Sequence, residues 1–495
     1  MRNHSRSPIP EDPRNDTKMR TNPQMSVFTG ERENSENDFT VDPSSLPGVH
    51  PIPRAFNRYI FSQLEPGEYY AKSSTQLLGP FANEPNESHL PSNEDFVIMR
   101  RMAKLPNGRL AFQKVAEGAK LTKKWLSEVM ETHFDEQPTV KEVSCLGPET
   151  LGYMSTMRRV HLQWENPADK PTSVIIKLPN VTVASEAWSK SAENGHEMDD
   201  YGGDVITMMH NCETSVYNCL SKYPEFRLSI PFLYSALDVS TGTPIIVMED
   251  LEKAITFDVA EGFNEKQLFA IVDELVKLHA LSYKYDEVKN CGIKESTLTH
   301  MEQFQKLVLG VAEQLYKQNP EYLASVDVLI RNHLTKDWFQ DLFEAIKSDP
   351  NTVLCHGDLW SPQILWKAEK IAAIVDWALC KEGPVTVDLM HVLSMSVPVK
   401  LRHESFEKLR DYYLAQLKTK MESIGLESPI TKETFQESYK RMLPYTAAMG
   451  VFSAGMWSNS PVLKRGKDDD DARIKEIMHR CKEIVEETVK AYDWK

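Results

Sequence analysis

Apolar and polar positions along this chain fall into two regimes, with short β-branched runs through the first half and helical spacing through most of the second. Leu121, Trp125, Leu126, Val129, Met130 and Phe134 recur at helical spacing and predict a helix over 121–134. Val143–Leu146, Tyr153–Gln163 and Ser173–Leu178 are short and partly β-branched. They are parted by turn chemistry such as Asn166-Pro167 and Lys170-Pro171, and so predict strands. Val205–Leu220 returns to helical period, with Val205, Met208, Met209, Cys212, Val216 and Leu220 on one side. Pro244–Met248 predicts one more buried strand, and helices then take over at Lys266–Leu281, Glu302–Lys317 and Asp468–Tyr492.

Before the first helix, Met1 to about Pro91 is rich in Pro, Asn, Ser, Glu and Asp with scattered apolar residues. Too little apolar surface is on offer there to offset chain entropy, so disorder is expected. Arg54–Leu64 is the one stretch of it that could make a short amphipathic helix or docking segment. The organisation expected is an N-terminal extension over 1–92, a β-rich lobe over 93–251 and a mainly helical lobe over 252–495. This is an α+β, two-lobed arrangement with a cleft between the lobes, an element order that resembles the protein-kinase-like fold.

Composition narrows the partners. The 495 residues are 41% hydrophobic and 26% charged, as in a globular protein, and the formal charge of −15 argues against general affinity for nucleic acid or anionic membrane. Met442–Leu463 has no charged residue but holds two prolines and several Ser, Thr and Asn, which predicts a buried helix and no membrane span. Seven cysteines, an odd number without a C-x-x-C pair, read as free thiols in a reducing compartment. With no secretory signal in 1–17, a cytoplasmic location is expected.

The candidate chemistry is concentrated in V-L-C-H-G-D-L-W-S-P-Q-I-L-W at Val353–Trp366 and I-A-A-I-V-D-W at Ile371–Trp377. Two acids, each after an apolar run and joined by a short polar turn, suit phosphoryl transfer from ATP. Asp358 would orient the acceptor hydroxyl and receive its proton, and Asp376, at the end of a buried strand, would hold Mg²⁺. His356 would brace the loop. Asp388, in P-V-T-V-D-L-M, would hold the catalytic loop or merely begin a helix. Gln363 occupies the position, five residues past Asp358, where kinases place a metal-binding Asn.

Upstream, Lys177 closes V-I-I-K and is expected to contact nucleotide phosphates, with Glu213 in H-N-C-E-T-S-V-Y as its partner. Glu197, in a Gly- and Asp-rich stretch that reads as loop, is the weaker competitor. Gly147 and Gly152 bracket a turn that would cover the phosphates, though they are spaced too widely for G-x-G-x-x-G. Met248–Leu251 would form the hinge, bringing Glu249 and Leu251 to the adenine. His279, on the apolar face of its helix, reads as a core histidine, and Asp468–Asp471 as a solvated helix start. No Zn-ligand spacing, G-x-S-x-G or Walker A motif is present.

H-G-D-L-W, I-V-D-W and P-V-T-V-D-L resemble the choline/aminoglycoside kinase superfamily more than protein kinases, since no A-P-E segment follows Asp376. L-G-Y-M-S at Leu151–Ser155, H-N-C-E-T-S-V-Y, M-E-D-L and the closing M-W-S-N-S-P-V-L resemble the ecdysteroid kinase-like (CHK kinase-like) group within it, over about Leu121–Lys495. The resemblance implies an ATP- and Mg-dependent kinase acting on a hydroxyl of a small molecule, steroid-like or an amino alcohol. It implies the roles above for Lys177, Glu213, Asp358 and Asp376 and leaves Gln363 as a departure from the family Asn. The alternative is a catalytically weak pseudokinase that binds nucleotide or a lipophilic ligand as sensor or scaffold.

Overall fold

A helix, a five-stranded antiparallel sheet and a second helix precede the mainly helical half. The computed structural model describes residues 49–51, 122–146, 155–179, 198–294, 301–458, 460 and 463–495. Val49–Pro51 (β1) pairs antiparallel with a strand described below. Thr122 caps Lys123–Phe134 (α1) by accepting the Trp125 N–H at 3.1 Å, and Asp135 ends the helix in the left-handed conformation. Thr139–Cys145 (β2), Ser155–Gln163 (β3) and Ser173–Pro179 (β4) follow. Then come Met198–Leu220 (α2), Leu233–Leu237 (β5) and Ile245–Glu249 (β6). The sheet runs β2-β3-β4-β6-β5, with Lys177 of β4 opposite Met157 of β3 and Ile246 of β6.

Side-chain alternation in this sheet decides what reaches the cleft. Val174 and Ile176 of β4 and Ile245 and Val247 of β6 bury against Leu126 and Met130 of α1. Ile175, Ile246 and Met248 point the other way, into the main core with Val216 and Tyr217 of α2. Lys177 shares the face of Ile175, so a one-residue slip of register would carry the ammonium to the wrong side of the sheet.

Ile255–Phe257 (β7) leads into Glu265–Lys284 (α3), whose start is fixed by a reciprocal cap between Asn264 and Gln267. Met301–Gln318 (α4) and Trp338–Ser348 (α5) follow. Thr352–Cys355 (β8), Ile364–Lys367 (β9), Lys370–Ile374 (β10) and Lys381–Pro384 (β11) form two small sheets, β1-β7-β9-β10 and β11-β8, which carry the two-acid segment. Val387–Met395 (α6), Val399–Ser423 (α7), Lys432–Trp457 (α8) and Asp470–Ala491 (α9) complete the helical half. One contiguous core joins these helices to α2.

The two-lobed α+β arrangement agrees with the sequence reading, and so do most element positions. One local reading needs correction. The Gly- and Asp-rich stretch expected to be loop is helical from Met198, although each Gly inside a helix costs about 1 kcal/mol. Once the buried face of 205–220 is formed, each added residue brings one more backbone hydrogen bond, so the helix extends back through Gly202 and Gly203. Glu197 itself lies outside the described residues, as do Gly147, Gly152 and most of 1–92. Met442–Leu463 falls largely within α8, which accommodates Pro444, and among the described residues no helix is long and apolar enough to cross a membrane. The six cysteines with described side chains are all free thiols. His279 is a core residue: burial lowers its pKa to about 4, and Nδ1 meets the Tyr413 hydroxyl at 2.8 Å.

Candidate active site

The H-G-D loop is held from below by Asp388, at the start of α6. Its two carboxylate oxygens accept the backbone N–H groups of His356 at 2.7 Å and Gly357 at 2.9 Å, and the side chain is fully buried. His356 braces the loop from the other side: Nε2 meets the Val375 carbonyl at 3.0 Å and Nδ1 accepts the Asp358 N–H at 3.3 Å. Burial lowers the His356 pKa, which keeps the ring neutral and able to accept that bond. Gly357 adopts φ +82°, and a Cβ there would come within 2.3 Å of the Leu379 carbonyl oxygen, so only glycine fits. These contacts aim Asp358 into the cleft.

Asp376 follows β10 in the left-handed region at φ 65°, which is uncommon for a residue with a side chain. That turn ends the strand and presents the carboxylate to the cavity instead of the core. Lys177 lies between two acids, 2.6 Å from Glu213 and 2.8 Å from Asp376. Burial alone would discharge this lysine, but the two carboxylates outweigh it and hold the pKa above the usual range. Burial, with the repulsion of Asp376 added to it, raises Glu213 to about 7 against the pull of the Lys177 ammonium. The same ammonium overcomes burial at Asp376 and leaves that group below the ordinary carboxylate range. Gln363 bridges the acids: its Nε2 donates to Asp358 at 3.3 Å and to Asp376 at 3.2 Å.

Lys177, Glu213, Glu249, Leu251, Asp358, Gln363 and Asp376 thus line one cavity of about 500 Å³ between the sheet and the helical half. Nearby, Asp250 is fully engaged, accepting from Arg159 at 2.5 and 3.0 Å and from Ser173 at 2.6 Å, which fastens the chain just after β6 to β3 and β4. Sequence reasoning missed His391, whose Nε2 stands 3.4 Å from Asp358 Oδ1, and also Lys381 and Tyr445, which line the same cavity. His391 stands one helical turn after Asp388, on the same side of α6, which is the signal that could have found it. Nothing local marked Tyr445, in the uncharged second half of α8.

The raised Glu213 pKa has a stability consequence. Folding holds the Glu213 proton from the ordinary carboxylate range up to about 7, so this group favours folding at low pH and loses that contribution as pH rises through 7. Gln in its place cannot ionise. The melting temperature of Glu213→Gln minus that of wild type is therefore expected to rise by a few degrees between pH 5 and pH 8. A flat difference across that range in thermal unfolding would show that Glu213 keeps an ordinary pKa.

A sequence model of the ecdysteroid kinase-like family matches residues 150–426, and one of a C05C10.5-like C-terminal domain matches 66–118. The uncharacterized oxidoreductase dhs-27 of Caenorhabditis elegans is 25% identical over 345 residues, covering 65% of this chain and 40% of that protein. This chain therefore spans well under half of that relative's length. The uncharacterized kinase-like protein D1044.1 of the same organism is 21% identical over 331 residues, 65% of this chain and 85% of that one. Among solved structures, macrolide 2'-phosphotransferase MphH of Brachybacterium faecium aligns over 72% of this chain and 98% of its own, at 14% identity and a TM-score of 0.34. Since the first match takes in more than half of its residues, the chain belongs to the ecdysteroid kinase-like family.

Proposed function

We propose that this chain transfers the γ-phosphoryl group of ATP, with Mg²⁺, to a hydroxyl of a small apolar molecule. The observation that carries the reading is the convergence of Lys177, Asp376 and Asp358 on one cavity, with Lys177 already aligned by Glu213. Lys177 would hold nucleotide phosphates, and the backbone beside Glu249 and Leu251 would take the adenine. Asp358 would orient the acceptor hydroxyl and accept its proton. Asp376 suits Mg²⁺, which takes one or two carboxylates along with phosphate oxygens and water: 42% of its side chain is accessible, and Lys177 lowers its pKa. When bound, the cation neutralises charge between the phosphates.

The acceptor side supports an apolar substrate over an amine. Phe304, Phe339, Phe343, Met449, Phe452 and Met456 line it. From Ile293 onward the only described acids on the cavity wall are Asp358 and Asp376, both needed for the chemistry. An amino alcohol would want a further carboxylate for its ammonium.

Gln363 supports the second reading, a nucleotide- or ligand-binding fold with weak catalysis. Its amide nitrogen ties the two acids together, and its reach is one methylene longer than Asn. A displacement on the order of 1 Å can cost roughly 10²-fold in rate. The deciding experiment is ATP consumption with a panel of hydroxysteroids and other small alcohols, for wild type and Gln363→Asn. Turnover kept or raised, up to about tenfold, is expected of an active kinase. No turnover in either protein would favour the binding reading. A steep fall in the variant would mean that the pocket has re-formed around the longer side chain.

A further inference from the structure

Lys381 opens β11, directly paired with Cys355 at the end of β8, and Ile293 bridges to it from the other side. Its ammonium packs against Gly357, 3.1 Å from where a Cβ of that residue would stand, immediately before Asp358 in the chain. The side chain is half-buried and lines the cavity, against Tyr445 of the helix that also carries Met449, Phe452 and Met456. Among the described residues no carboxylate comes within ion-pair distance of it. Its partner is Tyr445 of α8, whose hydroxyl is 3.4 Å from Nζ and whose ring centroid is 5.6 Å away. Burial works against the charge, but Tyr445, Cys355 and Asp388 together hold its pKa above the ordinary lysine value. Asp388 favours the charge only from beyond ion-pair distance, with its two oxygens accepting backbone N–H groups of the loop.

A charged ammonium without a counter-ion is costly in an apolar pocket, and a ligand anion would offset the cost. Nucleotide phosphates already have a cation in Lys177, which stands on β4, across the cavity from the helical wall. Lys381 instead stands on the acceptor's side. We propose that Lys381, steadied by Tyr445, is a specificity-determining residue that anchors a carboxylate on an apolar hydroxylated acceptor. The preferred substrates are then apolar hydroxy acids rather than neutral alcohols. This rests on the phosphotransferase reading and deepens it.

The test uses matched acceptors, a hydroxylated steroid carboxylic acid and its methyl ester, and a hydroxylated long-chain fatty acid and its methyl ester. They are assayed with the full chain, Lys381→Met, Lys381→Arg and Tyr445→Phe. Wild type is expected to favour each acid over its ester by at least about tenfold in kcat/KM, mainly through KM, the size of one charge-assisted contact. Lys381→Met should lower the acid's value to the ester's and leave the ester's unchanged, Lys381→Arg should retain part of the preference, and Tyr445→Phe should lose part. Unchanged melting temperatures and Mg·ATP-induced stabilisation show that the variants fold and keep the nucleotide side.

Equal use of acid and ester by wild type overturns the proposal, and so does an acid preference that survives in Lys381→Met. An equal loss for acid and ester in that variant also overturns it, because Lys381 would then act on the transferred phosphoryl group. Where none of the four is turned over, their binding in the presence of Mg·ADP is measured by calorimetry, and absence of an acid preference there overturns it equally. Loss of the Mg·ATP effect in wild type itself would defeat the phosphotransferase reading, a separate outcome.

Discussion

Asp358→Asn is expected to lower phosphoryl transfer by about 10³-fold or more while leaving the affinity for Mg·ATP within a few-fold of wild type. General-base and orienting groups contribute roughly 10²–10⁴-fold, and Asn can still align a hydroxyl but cannot accept its proton. The substitution is nearly isosteric, and what holds the loop does not pass through this side chain. His356 and Gly357 are tied to Asp388 by backbone N–H groups, and Asp358 itself is held through its own N–H. Its carboxylate meets Gln363 and His391 but not Lys177, so the lysine keeps both of its acids in the variant. Single-turnover kinetics and nucleotide binding by calorimetry separate the two effects. A parallel loss of affinity and turnover would mean that Asp358, rather than Asp376, is the principal metal ligand.

Which parts of this site were legible in the sequence follows from how each residue is placed. Asp358, Gln363 and Asp376 come from one continuous segment, and Lys177 follows a run of three β-branched residues, V-I-I-K, that marks it locally. Glu213 was legible as a Glu on the helix that follows the Lys177 strand, within H-N-C-E-T-S-V-Y. His391, Lys381 and Tyr445 were not. Each lies in an otherwise apolar or irregular stretch, where a lone polar residue reads as a satisfied core group or a surface charge, and only packing of α6, β11 and α8 brings the three to one cavity. The extended reach of α2 was missed for a related reason. Gly and Asp argue locally for a loop, while the deciding energy is burial along the following turns.

Asp376→Asn is expected to abolish the stabilisation that Mg·ATP gives the folded protein. A ligand that binds only the folded state adds RT ln(1 + [L]/Kd), about 2.7 kcal/mol at a hundredfold excess over Kd, and a melting curve at millimolar Mg·ATP reads it as several degrees. The variant should show no more shift with Mg·ATP than with ATP and chelator, because in the proposed reading the Asp376 carboxylate holds the cation. Lys177 stays aligned, since Glu213 remains 2.6 Å from its ammonium, so weak metal-independent nucleotide binding should survive. A second readout comes from the same substitution. Asp376 is one of the charges that raise Glu213 towards 7, and without it Glu213 no longer competes for the lysine. Its pKa should fall back towards the ordinary range, so the pH at which Glu213→Gln gains on its parent should move lower in the Asp376→Asn background. An unchanged Mg·ATP shift in the variant would remove Asp376 from the metal site. An unchanged pH midpoint would show that burial alone, and not the shared ammonium, sets the Glu213 proton.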